Sequence, residues 1–596
     1  MSSIFNQRID ALRQVMRRES VDAYILNGTD PHLSEYVPDR WRTVAFISGF
    51  TGSAGTVVVT LEAAALWTDS RYFIEAQQAL DGTGIMLMRD GLADTPTIPQ
   101  WIGEQLRDSP FREVAVDGDC WSENEVQGLK NELRRQGGIT LRTNLDALLT
   151  VWTDRPAAPK VPVVIQPLDY AGETTADKLR RIRAALREQH ADGTLIAALD
   201  DVAWILNLRG ADIECNPLFL SYLLIASDKA TLFIDPCKVS DEVRTYLRGE
   251  GVGVDDYSNV AKGLRDYFEY NILLDPNQVN HRLFHATQRE VVVAPSPVPA
   301  MKAVKNSTEQ RGFKSAMLRD GIAMTQFLCW LDTAVARGGV TECSAAERLR
   351  ALRAEQPLFQ GLSFTTIAAY QEHGAIVHYE PTAATDVPLE PEGLFLVDSG
   401  GQYLDGTTDI TRTIALGPLT EEQRRVYTLV LKAHIRLQLA IFPDGTTGTQ
   451  LDSLARGVLW QHGLHYMHGT GHGVGAFLCV HEGPHQIRMQ WKPTPLRAGM
   501  TVTNEPGVYL ENRFGVRIEN TLLIIPAMTT ECGRFLRFEP LTLCPIDLRP
   551  VIAELLAPDE VAWLNDYHIT VRKALTPYLN PDKQAWLEKA TRQLAI

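Results

Sequence analysis

Four of the fourteen histidines in the chain, His465, His468, His472 and His481, stand in the stretch HYMHGTGHGVGAFLCVHEGP, spaced by Gly469, Gly471, Gly473 and Gly475. Imidazole is the commonest metal ligand and the acid–base group of neutral pH, and glycines let backbone come close to an ion or ligand. Upstream, EGLFLVDSG reads as a strand ending at Asp398, GGQYLDG as a turn, and TTDITRTIAL as a return strand carrying Asp409. Residues facing each other across a hairpin lie about 4.5–5.5 Å apart, so these two carboxylates can meet. Downstream, Glu505 in TVTNEPGVYL and Glu519 in GVRIENTLLII each fall in an apolar, strand-like stretch. A carboxylate there is costly to bury without a partner.

Together Asp398, Asp409, His472, Glu505 and Glu519 offer four carboxylates and one imidazole. Four negative charges balance two divalent cations and leave room for a bridging hydroxide. Oxygen ligands with one histidine and no thiolate favour Mn²⁺, with Co²⁺ and Zn²⁺ as alternatives. Such a pair of metals suits hydrolysis of an amide. Plainer readings compete with this one: Asp398 capping its turn, Asp409 facing solvent, the histidines in an ordinary glycine turn, and Arg517 as the ion partner of Glu519 on the same strand face. GHGVGA also fits the loose dinucleotide pattern, but no strand precedes it and no helical pattern follows, so that reading is rejected. Spacing alone stops at a dinuclear metallohydrolase.

Proline clusters punctuate the chain, at Pro156, Pro159 and Pro162 and at Pro295, Pro297 and Pro299. Proline fixes φ and lacks a donor, so neither cluster is expected inside a helix. They divide the chain into segments 1–155, 156–303 and 304–596. The first two share a plan: an opening helix, a short strand (AYIL at 23–26, TLIAAL at 194–199), then paired strands in TVVVTLEAAALWTD and YLLIASDKATLFID. That hints at a duplicated α/β domain. The third segment opens with helices, the first predicted from a capping box of Ser307 with Gln310. It then turns to short β-like stretches interrupted by a helix near EEQRRVYTLVLKAHIRLQLAIF, an α+β pattern. It ends helical, at PDEVAWLNDYHITVRKAL.

Composition sets the outer bounds. The chain has 596 residues, 45% hydrophobic and 22% charged, with net charge −15. Those proportions exclude a disordered or fibrous chain, and an acidic surface without a basic stripe speaks against nucleic acid. No run of about 18 apolar residues spans a membrane. Eight cysteines without a CxxC read as reduced thiols, consistent with a cytoplasmic protein.

The motifs WTDSRYF, DDVAWILNLRG, NPLFLSYLLI, AVKNSTE, LSFTTIAA, HYEPT, DSGGQYLDGTTDITRT, HGTGHGVGAFLCVHEGP, EPGVY and RIEN, in this order across nearly the whole chain, resemble the cytosolic Xaa-Pro aminopeptidases among the creatinase/methionine aminopeptidase metallopeptidases. The resemblance implies two creatinase-like α/β domains followed by a pita-bread α+β catalytic domain. It implies removal of the first residue from short peptides with proline second, through a metal-bridging hydroxide, by a homodimer. Asp398 would be a terminal ligand and Asp409 and Glu519 bridging ligands, with His472 and Glu505 completing the pair. His378, His468, His481 and Glu505 would serve catalysis, and Arg71, His378, His481, Tyr509 and Arg517 the substrate. The sequence departs from the family pattern at Glu372, His373, Glu380 and Asn504. A prolidase or other hydrolase of the same fold, and a metal-free binding module, are the competing readings.

Overall fold

The computed structural model describes residues 4–109 and 111–595. Its backbone falls into two compact units, one running to Ile165 and from Glu173 to Val298, the other made of Gln166–Gly172 and the chain from Pro299 onward.

The first unit contains two six-stranded sheets built to one plan. In the first, Ala23–Asn27 pairs antiparallel with Thr56–Thr60, which pairs with Ala64–Thr68, which runs parallel to Met86–Arg89; on its other edge Ala23–Asn27 runs parallel to Glu113–Ala115, and that to Thr140–Arg142. In the second, Thr194–Ile196, Ser221–Ile225, Ala230–Ile234, Val252–Asp255, Asn271–Leu274 and Glu290–Val293 take the same places in the same order. The duplication read from the sequence is thus visible in topology. The helices Ile4–Glu19 and Thr175–Glu188 open the two halves, burying Ile9, Leu12 and Met16 in one and Leu179, Ile182 and Leu186 in the other. The stretch TLIAAL is strand only as far as Ile196, because Leu199 already begins the helix Leu199–Leu206.

The main run of the second unit starts at Pro299, in the first turn of the helix Val298–Ala303. Proline is tolerated there because that N–H has no partner within a helix. The long helix Ser307–Ala334 starts one residue off the predicted box: Asn306 is the cap, accepting from Thr308 N and Glu309 N at 2.9 and 3.0 Å, while Glu309 accepts from Asn306 N. Asparagine caps at least as well as serine, and glutamate closes the box as well as glutamine. Beyond the helix Glu342–Ala354, antiparallel strands dominate. Ile367–Tyr370, Leu394–Ser399 and Ile410–Ala415 form one sheet, and Ile441–Pro443, Gly533–Pro540, Asn520–Thr530 and Thr501–Asn504 another. The helices Glu421–Gln438 and Pro558–Leu575 pack on the second sheet, with Val430, Leu431, Leu564, Val502, Leu522 and Ile524 buried in a shared core. A further helix, Gly448–Trp460, occupies sequence read as β-like. Among the described residues no helix is long and apolar enough to cross a membrane.

Candidate metal centre

Two strand registers create the centre. In the hairpin, Asp398 lies opposite Thr411 and Ser399 opposite Ile410. Asp409 is therefore one residue ahead of the return strand, not within it. Side chains alternate along extended chain, so Asp409 and Thr411 share the face of Asp398. In the other sheet Asn504 lies opposite Asn520. Glu505 and Glu519 are the next residues beyond that pair, at the strand ends and not inside the strands. The same alternation turns both away from the asparagine side.

His472 joins these carboxylates from the short strand Gly471–Gly473. Its Nε2 lies 3.4 Å from Asp409 Oδ2 and 3.4 Å from Glu505 Oε1. Ligand atoms of Asp409, His472 and Glu519 all fall within 4.8 Å of one another. The other ring nitrogen, Nδ1, is 2.8 Å from Gly473 O. A carbonyl only accepts, so Nδ1 carries a proton and Nε2 is the nitrogen that faces the two carboxylates. At Gly471 a Cβ would sit 1.9 Å from Thr503 O, so there the missing side chain lets two strands approach.

The electrostatics follow from crowding. Asp409 is held well above the usual carboxylate range by burial and by Asp398 and Glu505, and Glu519 by burial and by Asp409, Asp398 and Glu505. Burial also lifts Glu505 to about 7, against the pull of Arg517. Arg517 is not the partner of Glu519; its Nη2 and Nε reach Asp398 Oδ2 at 2.6 and 3.1 Å. Asp398 Oδ1 is buried without any hydrogen-bond partner. Glu519 instead accepts from Thr411 Oγ1 at 2.8 Å. Carboxylates in mutual repulsion, an unpartnered buried oxygen and an imidazole nitrogen turned inward are what a site for divalent cations requires, so the residues fit such ions.

Arg517 also starts a directed chain of hydrogen bonds. Its Nη1 donates to Tyr509 Oη at 2.8 Å, and Tyr509 lies 2.8 Å from His468 Nε2. His468 Nδ1 donates to Gly469 O at 2.7 Å, which leaves Nε2 to accept from the phenol. The His481 ring stands edge-on to His472 with centroids 4.4 Å apart. His378 is half-buried after the helical turn Gln371–Ala375. His465 turns elsewhere and accepts from Trp460 Nε1 at 3.0 Å. Arg71 belongs to the first unit, where Asp69 binds its Nε and Nη2 at 2.9 and 2.7 Å and Glu35 lies 3.5 Å from Nη1.

The sequence reading missed the groups that hold these side chains. Arg412 donates to Glu519 O at 2.6 Å, Asn520 Oδ1 at 2.9 Å and Cys544 O at 2.8 Å, tying the hairpin to the second sheet. Thr503 Oγ1 accepts from His472 N and lies 3.2 Å from Glu505 Oε1. Arg456, on Gly448–Trp460, donates to His468 O at 2.7 Å. The alternation of DITRT was the available signal, with Asp409, Thr411 and Thr413 on one face and Arg412 alone among isoleucines on the other. Two departures also find partners: Asn504 donates to His434 O at 2.9 Å, and His373 Nδ1 lies 2.9 Å from Glu342 Oε1.

Comparison with known proteins gives a consistent result. Residues 8–143 and 154–309 each match a creatinase/prolidase N-terminal domain, 311–526 match metallopeptidase family M24, and 534–594 its C-terminal region. Aminopeptidase P1 of Arabidopsis thaliana is 36% identical, with 99% of both chains covered. A probable Xaa-Pro aminopeptidase P of Botryotinia fuckeliana is 39% identical over 99% of this chain and 93% of its own. The crystal structure of an X-prolyl aminopeptidase from Caenorhabditis elegans, described as a cytosolic enzyme with a di-nuclear active site, superposes with TM-score 0.95 at 35% identity, covering 99% of this chain and all of that one. An Xaa-Pro dipeptidase from Bacillus anthracis, at 24% identity and TM-score 0.52 over 64% of this chain, shares the fold alone. Matched from end to end at this level of identity, the chain belongs to the Xaa-Pro aminopeptidase P family of the M24 metallopeptidases.

Proposed function

We infer that this protein is a metal-dependent aminopeptidase that hydrolyses the bond between the first residue of a peptide and a proline in second place. One observation carries the reading: in a chain of this family, buried Asp398, Asp409 and Glu519, half-buried Glu505 and the Nε2 of His472 converge, with Arg517 bound to Asp398. Asp398, Asp409, His472, Glu505 and Glu519 would hold two divalent cations. When bound, such a pair supplies an activated water and polarisation of the scissile carbonyl. The oxygen-rich set favours Mn²⁺ over Zn²⁺ or Co²⁺.

The protein's own groups supply the rest. Glu505, whose Oε1 lies 3.4 Å from His472 Nε2, would take a proton from the attacking water and pass it to the proline nitrogen as the bond breaks. That nitrogen belongs to a tertiary amide without an N–H, so it leaves only once protonated, and enzymes that read the N–H find no handle. Arg517 fixes Asp398 through Oδ2, leaving Oδ1 as an acceptor for cation or substrate amine. The Arg517–Tyr509–His468 chain orients His468 with its Nδ1 proton fixed. His378 and His481 are assigned to the substrate carbonyl, and Arg71 to the peptide, on the family resemblance. The same resemblance supports a cytoplasmic homodimer of subunits divided at 1–155, 156–303 and 304–596.

Turnover of a tripeptide and a dipeptide, each with proline second, tests the activity. Release of the first residue from the tripeptide is expected, and cleavage of the dipeptide alone would convert the assignment to a prolidase. Elemental analysis after dialysis tests the centre, near-zero metal supporting a binding module instead. Sedimentation tests the dimer.

A further inference from the structure

Away from the centre just described, Glu123, His281 and His285 form a second cluster of ligand-type side chains, all within the first unit. The segments that carry them are stitched together through backbone. Ser122 and Asn280 form a β-bridge, His281 N donates to Trp121 O at 2.8 Å, and Asn124 N donates to Pro276 O at 2.8 Å. Ser122 and Asn280 are also helix caps, so Glu123 and His281 are the first residues of the helices Glu123–Arg135 and His281–Phe284. His285 comes four residues after His281 and so falls on the same side.

The three side chains converge on one oxygen. Glu123 Oε2 lies 2.6 Å from His281 Nδ1 and 3.1 Å from His285 Nε2, and the two rings stand edge to face with centroids 4.8 Å apart. The other oxygen, Oε1, accepts from Gln127 Nε2 at 2.8 Å, a bond that keeps Oε2 turned toward the imidazoles.

We propose that Glu123, His281 and His285 bind a divalent cation of the Zn²⁺ type, which clasps the two α/β halves of the amino-terminal unit. Two imidazoles and one carboxylate without a thiolate are a borderline-soft donor set that zinc accepts. Bonds of about 2.0–2.2 Å around a tetrahedral ion separate neighbouring ligand atoms by about 3.3–3.6 Å, so the three groups need to open by less than about 1 Å. Each ring presents a lone pair at the converging nitrogen once a single proton sits on the other nitrogen. The Glu123 and His281 side chains are 10% and 12% exposed, whereas that of His285 is 56% exposed. The ion thus has an entrance on the His285 side, and a water can complete its shell. Gln127 acts as the outer partner that orients the carboxylate.

The test titrates Zn²⁺ alone into the full chain and counts bound zinc after gel filtration. His285→Ala, at an exposed side chain, is expected to carry one zinc fewer per chain than the unsubstituted protein and to retain aminopeptidase activity. Its affinity at this place falls at least about 100-fold. Glu123→Gln, which keeps shape and its bond to Gln127, is expected to lose the same ion. Equal zinc content in all three proteins overturns the proposal. A second measurement uses Asp409→Ala, in which added Zn²⁺ should still raise the melting temperature, and Asp409→Ala with His285→Ala, in which it should not. Persistence of the rise in the double variant also overturns it. Because Asp409→Ala reports on the peptidase centre and His285→Ala on the clasp, failure of one reading is distinguishable from failure of the other.

Discussion

Two kinds of buried acid occupy the carboxy-terminal unit. Asp320 receives both Nε and Nη2 of Arg353 at 2.7 and 3.0 Å and Tyr403 Oη at 3.1 Å, and Glu482 is bound by Lys305; each acid has a cation of its own. Asp409 and Glu519 are as deeply buried and, among the described residues, pair with no Lys or Arg, while Arg517 goes to Asp398. Burial with a private counter-ion is architecture, since removing either member strands the other. Burial in a group that repels itself marks a place where the positive charge comes from outside.

The largest effect that would break this contrast is on Asp409. Asp409→Ala is expected to lower kcat/KM by more than about 10³-fold and to abolish metal retention at the peptidase centre, while in metal-free protein the urea midpoint holds or rises because a buried acid that its neighbours repel is gone. Normal turnover in that variant would remove Asp409 from the centre. The counterpart is Asp320→Ala, which leaves Arg353 buried and unpaired. It should cost about 3–5 kcal/mol in urea unfolding and leave the metal content per folded chain unchanged.

Buried imidazoles sharpen the comparison, because they survive without a partner by staying neutral. Burial pushes His568 down to about 3 and His485 to about 4. The His568 bond also needs the neutral ring, because Ile546 N donates to its Nε2, whereas His485 Nε2 donates to Thr501 O at 2.7 Å and burial alone holds that ring neutral. In the unfolded chain both titrate near 6.5. Between these values the unfolded state binds more protons, so the contribution of these two rings is constant above about pH 6.5 and falls as the pH drops toward 4. Each histidine should cost about 2 kcal/mol at pH 5, and His568→Gln should flatten the pH dependence of the urea midpoint by its share. An unchanged slope would mean that His568 is already protonated in the folded protein. The smallest expected effect is at Tyr509. Tyr509→Phe removes one link between Arg517 and His468 and should reduce kcat by about tenfold, with metal content intact.

The sequence disclosed the acids and His472 because burying a charge in an apolar stretch breaks a local pattern, and such breaks can be seen one residue at a time. It also carried the duplicated α/β plan, which repeats as hydrophobic spacing. What it did not carry was pairing. Arg517 is two residues from Glu519 in the chain yet binds Asp398, because the strand register and not sequence distance decides which acid it faces. Arg412 was missed for the same reason: its six hydrogen-bonding partners are drawn mostly from residues more than a hundred positions away. The capping box moved by one residue because both registers offer a good cap, and only packing chooses between them.

The connection between Glu505 and Glu519 is itself a small hairpin, Gly507–Leu510 paired with Phe514–Arg517. Its legs bring Tyr509 and Arg517 inward, whereas Glu511, Asn512 and Arg513 at its tip are exposed. Residue count is thus rigid along the legs and free at the tip. A fluorophore or affinity handle grafted at Asn512 would ride on the outside of the protein while its anchor points stay locked to the reaction site, making this bend the natural port for watching peptide arrival in solution.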